Sequence, residues 1–290
     1  MERISLSESA DFWEFYRKLS KSYFDEVERM IGTRLPQTIL VHRDKFDGAD
    51  EVITSLLKDS ATRLKEIIPG AGVFWDDRLN IVPTYKDYPI AVVDVVDGSA
   101  ELRRGGTEVA STLSIVFADG RIPLSVISYP FGRERVIDVN GQVYRVPNSV
   151  LDEIASCHEL LEKYRLPCRG SRTSLDEFRV SERYEYFKDD IRKKLDDLRL
   201  LLKTSIKRPI GSLSKNLMSL VTGSCDIFMV KGEKAHHFYD TLAPGKIITD
   251  MGGVFVDMHG KSREGLNHMD GIIAASTQDN YKMFVDFMNS

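Results

Sequence analysis

The stretch Ile90-Ala91-Val92-Val93-Asp94-Val95-Val96-Asp97-Gly98-Ser99 delivers two carboxylates, a glycine and a serine at the end of an apolar, mostly β-branched run. Such a run reads as a buried strand. Asp94 and Asp97 are close enough in sequence to share a cation pair, and Gly98 lets backbone approach a bound anion. A carboxylate-rich strand end beside exposed amides is what metal-assisted phosphate chemistry needs. Asp-x-x-Asp-Gly also closes ordinary turns, because Asp and Gly favour them. Taken alone, the motif leaves both readings open.

A second acidic position carries comparable weight. Tyr239-Asp240 opens a predicted helix that ends at Met251-Gly252-Gly253, although an Asp at a helix start also caps free N–H groups and complements the dipole. With Asp76 after the predicted strand Val73-Phe74-Trp75, the chain holds a three-part acidic set. His236-His237 lies just ahead of Asp240, but adjacent histidines point apart and no third His falls at ligand spacing. A wall of a substrate pocket suits them better than a transition-metal site, which needs more ligands. Gly245 and Gly252-Gly253 fall within and after a helix, so they are no dinucleotide fingerprint.

These residues need elements to hold them. Apolar positions at three- and four-residue steps (Phe12, Tyr16, Leu19, Tyr23, Val27, Met30) predict a helix from about 10 to 30. A second helix is expected from about 50 to 68, with Leu56, Leu57, Leu64 and Ile67 inward and Pro69-Gly70 ending it. Strands are expected over 111–118 and 124–129, joined at Asp119-Gly120, and over 135–139 and 142–146 around Asn140-Gly141. The first half therefore reads as two helices and an antiparallel-rich sheet. Composition shifts near Asn148, which suggests an α+β subdomain over 1–148 and an α/β subdomain over 149–290. A helix is predicted over 151–164. Another, highly charged, follows over 188–199, with Ile191, Leu195, Leu198 and Leu202 as its apolar stripe. Asp189 with Lys193 and Asp190 with Lys194 are spaced as ion pairs along it. Helices and short strands then alternate to the end.

Composition excludes several function classes. Lys plus Arg total 40 against 44 Asp plus Glu, a net charge of −4, which argues against a nucleic-acid binder driven by a basic surface. Hydrophobic residues make up 42%, enough for a sizeable core. Cys157, Cys168 and Cys225 are scattered, so neither a disulfide framework nor a thiolate zinc site is indicated. No apolar run is long enough to span a bilayer and no signal-peptide core is present, so a soluble, cytoplasmic protein is expected.

In the order of these motifs the sequence resembles the inositol monophosphatase family of metal-dependent phosphatases. That family's first signature is an acidic pair followed by a strand ending Asp-Pro-Ile/Leu-Asp-Gly-Thr/Ser, matched by Asp76-Asp77 and Asp94-Val95-Val96-Asp97-Gly98-Ser99. Its second is Trp-Asp, a helix and Gly-Gly, matched by Tyr239-Asp240 through Gly252-Gly253-Val254-Phe255. Gly211-Ser212, Thr222-Gly223-Ser224-Cys225-Asp226 and Ile272-Ile273-Ala274-Ala275 also fall in the family's order. The resemblance implies a layered α-β-α-β-α sandwich and a phosphomonoesterase using two or three Mg²⁺ ions. Asp76, Asp94, Asp97, Asp240 and the Val96 carbonyl would hold them, since hard cations prefer oxygen ligands. A bound metal would generate hydroxide from water, and others would hold phosphate oxygens and the leaving alkoxide. By the same resemblance Gly98 and Ser99 amides would hold the phosphate, while Ser99 Oγ and Asp47 would orient and deprotonate the water. Asp44 and Asp50 are rivals for that upstream position, and Glu233 matches a carboxylate that contacts substrate hydroxyls.

Departures from the pattern bear on substrate more than on reaction. Asp76-Asp77 replaces glutamates, and Val95 replaces the proline. Arg103 and Arg104 stand where the family has a Thr/Phe-Asn-Phe type of segment, either to bind a second anionic group or to pair with Glu101 and Glu108 at the surface. The expected partner is a small phosphorylated substrate, with no nucleic acid and no membrane, in a homodimer. Inositol monophosphate and fructose 1,6-bisphosphate suit His237-Phe238-Tyr239-Asp240 with Glu233. The alternatives are a 3′(2′),5′-bisphosphate nucleotidase and a catalytically silent member acting as a binding or regulatory protein.

Overall fold

The computed structural model describes residues 10–31, 58–59, 61–68, 70–74, 89–103, 106–154, 162–183, 189–203, 211–231, 238–263, 266 and 269–290, without the side chains of 10–14, 103, 152, 154, 183 and 189–190. Leu56, Leu57, Trp75 and Cys157 lie outside the described residues, as do the side chains of Phe12, Asp189 and Asp190. The chain divides into two compact units, Met1–Leu166 and Pro167–Ser290.

The first unit is built on a six-stranded sheet of order β1-β2-β3-β4-β5-β6. β1 (Gly72–Phe74) runs parallel to β2 (Ile90–Asp97). β3 (Ala110–Val116), β4 (Leu124–Tyr129), β5 (Glu134–Val139) and β6 (Gln142–Pro147) continue it antiparallel. The β5–β6 turn has Asn140 at φ 50° and Gly141 at φ 88°, the paired positive values that a two-residue Asn-Gly hairpin requires. β3 stops at Val116, two residues before the expected end, and the chain crosses to β4 through a wider turn. There Gly120 N–H donates to the Phe117 carbonyl and Phe117 N–H to the Arg121 carbonyl. Past the short helix α3 (Leu151–Ile154), residues 162–166 return to β6, with Arg145 N–H on the Tyr164 carbonyl at 2.9 Å and Leu166 N–H on the Val143 carbonyl at 2.8 Å.

The first predicted helix is present but not uniform. α1 (Ala10–Leu19) widens into a π-type turn at Ser20–Phe24 before helix resumes over 25–31. Tyr16, Leu19, Tyr23, Val27 and Met30 are buried as the periodicity demands, against Leu64, Ile67 and the Ala91, Val93 and Leu113 face of the sheet. The widened turn sets Ser20, Phe24, Asp25 and Glu28 around the fully buried Arg135 of β5. Arg135 donates to Glu28 Oε1 at 2.8 Å, to Asp25 Oδ1 at 2.7 Å and to Ser20 Oγ, with the Phe24 ring 5.0 Å away. Glu28 also accepts from Ser128 Oγ and Asn148 Nδ2. A buried charge survives only when it is paired and hydrogen-bonded to this extent.

The second unit holds a four-stranded sheet of order β7-β8-β10-β9. β7 (Val180–Arg183) is parallel to β8 (Ile227–Val230), while β10 (Ile272–Ala275) is antiparallel to both β8 and β9 (Val254–Val256). The charged segment forms helix α4 (Asp189–Leu201); Leu195 and Leu198 are fully buried, Ile191 and Leu202 pack beside them, and Leu200 faces solvent. With α7 (Gln278–Asn289), α4 covers the face carrying Ile227, Met229, Val254 and Val256. Phe255 points to the other face, where α6 (Phe238–Asp250) passes so closely that a Cβ on Gly245 would lie 2.9 Å from its ring. The antiparallel-rich first half and the α/β second half expected from the sequence are both present.

Arg135→Leu is expected to lower stability by about 3 kcal/mol in urea unfolding, because it removes a buried cation and leaves the mostly buried Glu28 carboxylate without its charge partner. Arg121→Ala, which removes an exposed partner of Asp119, should leave the unfolding midpoint essentially unchanged.

Candidate active site

Alternation along a strand puts residues three apart on opposite faces. In β2 that rule would separate Asp94 from Asp97. The register prevents it: Asp94 pairs with Thr112 and Asp97 with Ala110, so Val95 and Val96 together face only Ser111. This β-bulge inserts one residue and resets the alternation, because Thr112 and Ala110 lie on one face of β3. Asp94 and Asp97 therefore share a face at the end of the strand. Asp97 is buried and Asp94 is partly exposed.

The local bonding holds this geometry. Asp94 Oδ1 accepts the Val96 N–H at 3.0 Å, folding the carboxylate back over the bulge. The Asp94 carbonyl lies 3.4 Å from Ser111 Oγ, the residue opposite the bulge. Beneath Ser111 lies Tyr23 from the π-type turn. Burial pushes its phenol far above the ordinary tyrosine value, the Ser111 hydroxyl works the other way, and the Asp94 charge adds to the rise. The mirror case is Tyr129, also raised first by burial, with Glu134 and Asp97 among the charges acting on it. Both phenols stay neutral behind the carboxylates.

Gly98 leaves the strand at φ 93°, a conformation that any side chain would strain, and Ser99 begins helix α2 (Ser99–Arg103). The Gly98 carbonyl accepts from Glu101 and Leu102 N–H at 2.9 and 3.1 Å. Asp94, Asp97, Gly98 and Ser99, with the Val96 backbone, are thus brought together in the first unit. Val95, which stands in the place of the family's proline, stays within the strand.

Asp240 belongs to the second unit, in the first turn of α6. Two features that sequence reasoning did not single out surround it. Pro244 sits inside α6, and the Asp240 carbonyl accepts instead from Ser214 Oγ of helix α5 (Leu213–Thr222) at 2.9 Å. Arg263 donates to the Phe238 carbonyl at 3.2 Å and to Thr241 Oγ1, with its guanidinium over the Phe255 ring. Burial pushes the Arg263 pKa down to about 10, opposed by the charge of Asp240, so the cation persists at neutral pH. Pro244 was a usable signal, since a helical proline always frees a carbonyl one turn back. Arg263 has no local signature at all. The α6 C-terminus closes as the Gly-Gly signature demands: Gly252 at φ 79° and Gly253 N–H on the Ile248 carbonyl at 2.9 Å form a Schellman cap.

Asp76, Asp47 with its rivals Asp44 and Asp50, Arg104, Glu233 and His236-His237 lie outside the described residues, as does the side chain of Arg103. Among the described residues no three His, Cys, Asp or Glu side chains form a metal-holding group. The donor set that is described fits a hard divalent cation: two carboxylates on one face of a strand end, oxygen donors only, with no thiolate or imidazole.

Carboxylates aligned by a bulge at a strand end, followed by a positive-φ glycine and a helix start, are a donor arrangement suited to hydrolytic chemistry on phosphate esters. The model of the inositol monophosphatase family matches residues 36–287, and the chain belongs to that family. It is a phosphoric monoester hydrolase of the inositol monophosphatase type, from a family that is generally metal dependent and acts on small phosphorylated molecules. Comparison with curated proteins by sequence finds no match. Among solved structures, an inositol monophosphatase from Zymomonas mobilis is similar at 18% identity and TM-score 0.69, over 98% of this chain and 100% of that one. Inositol monophosphatase II from Staphylococcus aureus MSSA476 is similar at 13% identity and TM-score 0.73, over 96% and 94% of the two chains. SaIMPase-II, solved with inositol monophosphate bound, is similar at 13% identity and TM-score 0.69, over 96% and 94%. These likenesses establish the fold. No described helix is long and apolar enough to cross a membrane.

Gly98→Ala is expected to cost about 1–3 kcal/mol, the price of holding a side chain at that φ. Chemical denaturation would measure it, and an unchanged midpoint would show that the turn relaxes.

Proposed function

We propose that this protein is a Mg²⁺-dependent phosphomonoesterase that hydrolyses a small sugar or inositol phosphate, with inositol monophosphate and fructose 1,6-bisphosphate as the first candidates. The observation that carries this reading is the bulge in β2, which sets Asp94 and Asp97 on one face ahead of Gly98 and Ser99. Two like charges on one largely buried face repel and lose hydration, and a scaffold has no use for them without a cation. This favours an active phosphatase over a silent binding protein. SaIMPase-II, of the same fold, has been solved with inositol monophosphate and with 2′-AMP bound, so it supports a small phosphate monoester as substrate and keeps the 3′(2′),5′-bisphosphate nucleotide branch as the alternative.

In this reading Asp76, Asp94, Asp97, Asp240 and the Val96 carbonyl hold two or three Mg²⁺ ions. When bound, these supply an activated water and charge stabilisation for the phosphate and the leaving oxygen. Gly98 and Ser99 amides orient the phosphate. Ser99 Oγ takes up a proton-relay position with Asp47. Glu233 contacts substrate hydroxyls, and Arg103 and Arg104 reach a second anionic group. In the same reading an α+β subdomain over 1–148 carries Asp94 and Asp97, an α/β subdomain over 149–290 carries Asp240, and the protein forms a cytoplasmic homodimer.

Phosphate release should depend on Mg²⁺ and vanish in EDTA for inositol 1-phosphate, fructose 1,6-bisphosphate or adenosine 3′,5′-bisphosphate. The substrate turned over chooses the branch. Asp94→Asn should reduce kcat by about a thousandfold or more, the several kcal/mol that a bound metal supplies, with far-UV circular dichroism unchanged. Full activity in that variant removes this site from consideration. Arg103→Ala with Arg104→Ala should raise KM for bisphosphates more than for monophosphates. An equal effect on both assigns those arginines to the surface.

A further inference from the structure

An α-helix bonds each N–H to the carbonyl four residues back, so the donor for the Asp240 carbonyl is the N–H of residue 244. That residue is Pro244, inside α6, which has none. A carbonyl left without a donor in a protein interior is costly. Here Ser214, fully buried in the first turn of α5, donates its hydroxyl to the Asp240 carbonyl at 2.9 Å. We propose that Ser214 is a positioning residue: its hydroxyl replaces the helical N–H that Pro244 removes, and so fixes the turn that carries the Asp240 carboxylate. This rests on the reading of Asp240 as a metal ligand.

The donor is itself rigidly held. Gly211 at φ 75° turns the chain into α5, and Ser212 caps it by accepting the Lys215 N–H at 3.0 Å. Asn216 Nδ2 donates to the Ser212 carbonyl, so the start of α5 is bonded on both sides of Ser214. On α6 the neighbouring carbonyl, Phe238, is taken by Arg263. Two carbonyls of the turn bearing Asp240, those of Phe238 and Asp240, are therefore bound by side chains from two other parts of the unit. A first turn missing one helical bond would otherwise fray and spread the positions of its carboxylate. Serine suits a fully buried place that needs a donor: alanine lacks the hydroxyl, and threonine adds a methyl group to a buried position.

The test is a double-mutant cycle on the full chain, read by calorimetric titration with Mg²⁺ alone and by kcat and KM for inositol 1-phosphate. Ser214→Ala should weaken Mg²⁺ binding by about tenfold or more, the usual effect of losing a group that orients a metal ligand. It should lower kcat more than it raises KM. Pro244→Ala restores an N–H at position 244, so Ser214→Ala combined with Pro244→Ala should bind Mg²⁺ close to wild type. A role confined to stability would lower the melting temperature in Ser214→Ala and leave Mg²⁺ affinity unchanged, and that result overturns the proposal. So does a double variant as weak as the single. Where Ser214→Ala alone does not fold, the double variant compared with wild type carries the decision, and failure to recover Mg²⁺ binding overturns it. Asp240→Asn separates the two levels. Lost Mg²⁺ affinity there with wild-type affinity in Ser214→Ala removes only the role of Ser214. Wild-type affinity in Asp240→Asn removes the metal reading of Asp240 itself.

Discussion

One extra residue in β2 governs the first unit. Without the bulge opposite Ser111, Asp94 and Asp97 would point to opposite faces of the sheet, and no cation could meet both. Much of the surrounding sequence accommodates that residue. Gly98 takes the positive φ needed to leave a bent strand. Ser111 reaches the carbonyl that the bulge disturbs, and Tyr23 fills the space beneath it. The π-type turn in the first helix places Tyr23 there while also seating Arg135.

The second unit meets a different constraint, the obligation of buried backbone to find partners. Its signature residues are largely devices for that purpose. Gly223 at φ 85° ends α5, and the Ser219 carbonyl collects the N–H groups of Gly223, Ser224 and Cys225. Asp226, almost fully buried, accepts the Arg179 backbone N–H at 2.9 Å and its Nε at 3.2 Å, tying the lead into β7 to the lead into β8. Two of the motifs shared with the family, Gly211-Ser212 and Thr222 through Asp226, thus serve as caps and clasps. They shape the unit that presents Asp240.

Much of this was legible in the residues. The β-branched run of β2, the Asn140-Gly141 turn and the apolar stripe of α4 follow from local preferences, and each element lies where those preferences place it. The pairing of Asp94 with Asp97 was visible as spacing, but the bulge that makes the spacing useful was not. It depends on β3, and no local pattern in Asp94-Val95-Val96-Asp97 announces the register of a partner strand. The π-type turn was hidden for the same reason. The periodicity of Tyr16, Leu19, Tyr23 and Val27 fits an ordinary helix, while the reason to widen it, Arg135, lies far along the chain. Arg263 near Asp240 is likewise a product of tertiary structure.

The cluster on Glu28 also has a bearing on the order of assembly. Its partners Ser128, Arg135 and Asn148 stand 100, 107 and 120 residues further along. During synthesis the first helix leaves the ribosome long before any of them, and its acidic side chains stay in water through that interval. The bonds on Glu28 are therefore complete only once the last hairpin of the sheet, and Asn148 beyond it, have formed. Arg135 and Asn148, rather than any residue of the helix, thus decide when its polar anchor is complete.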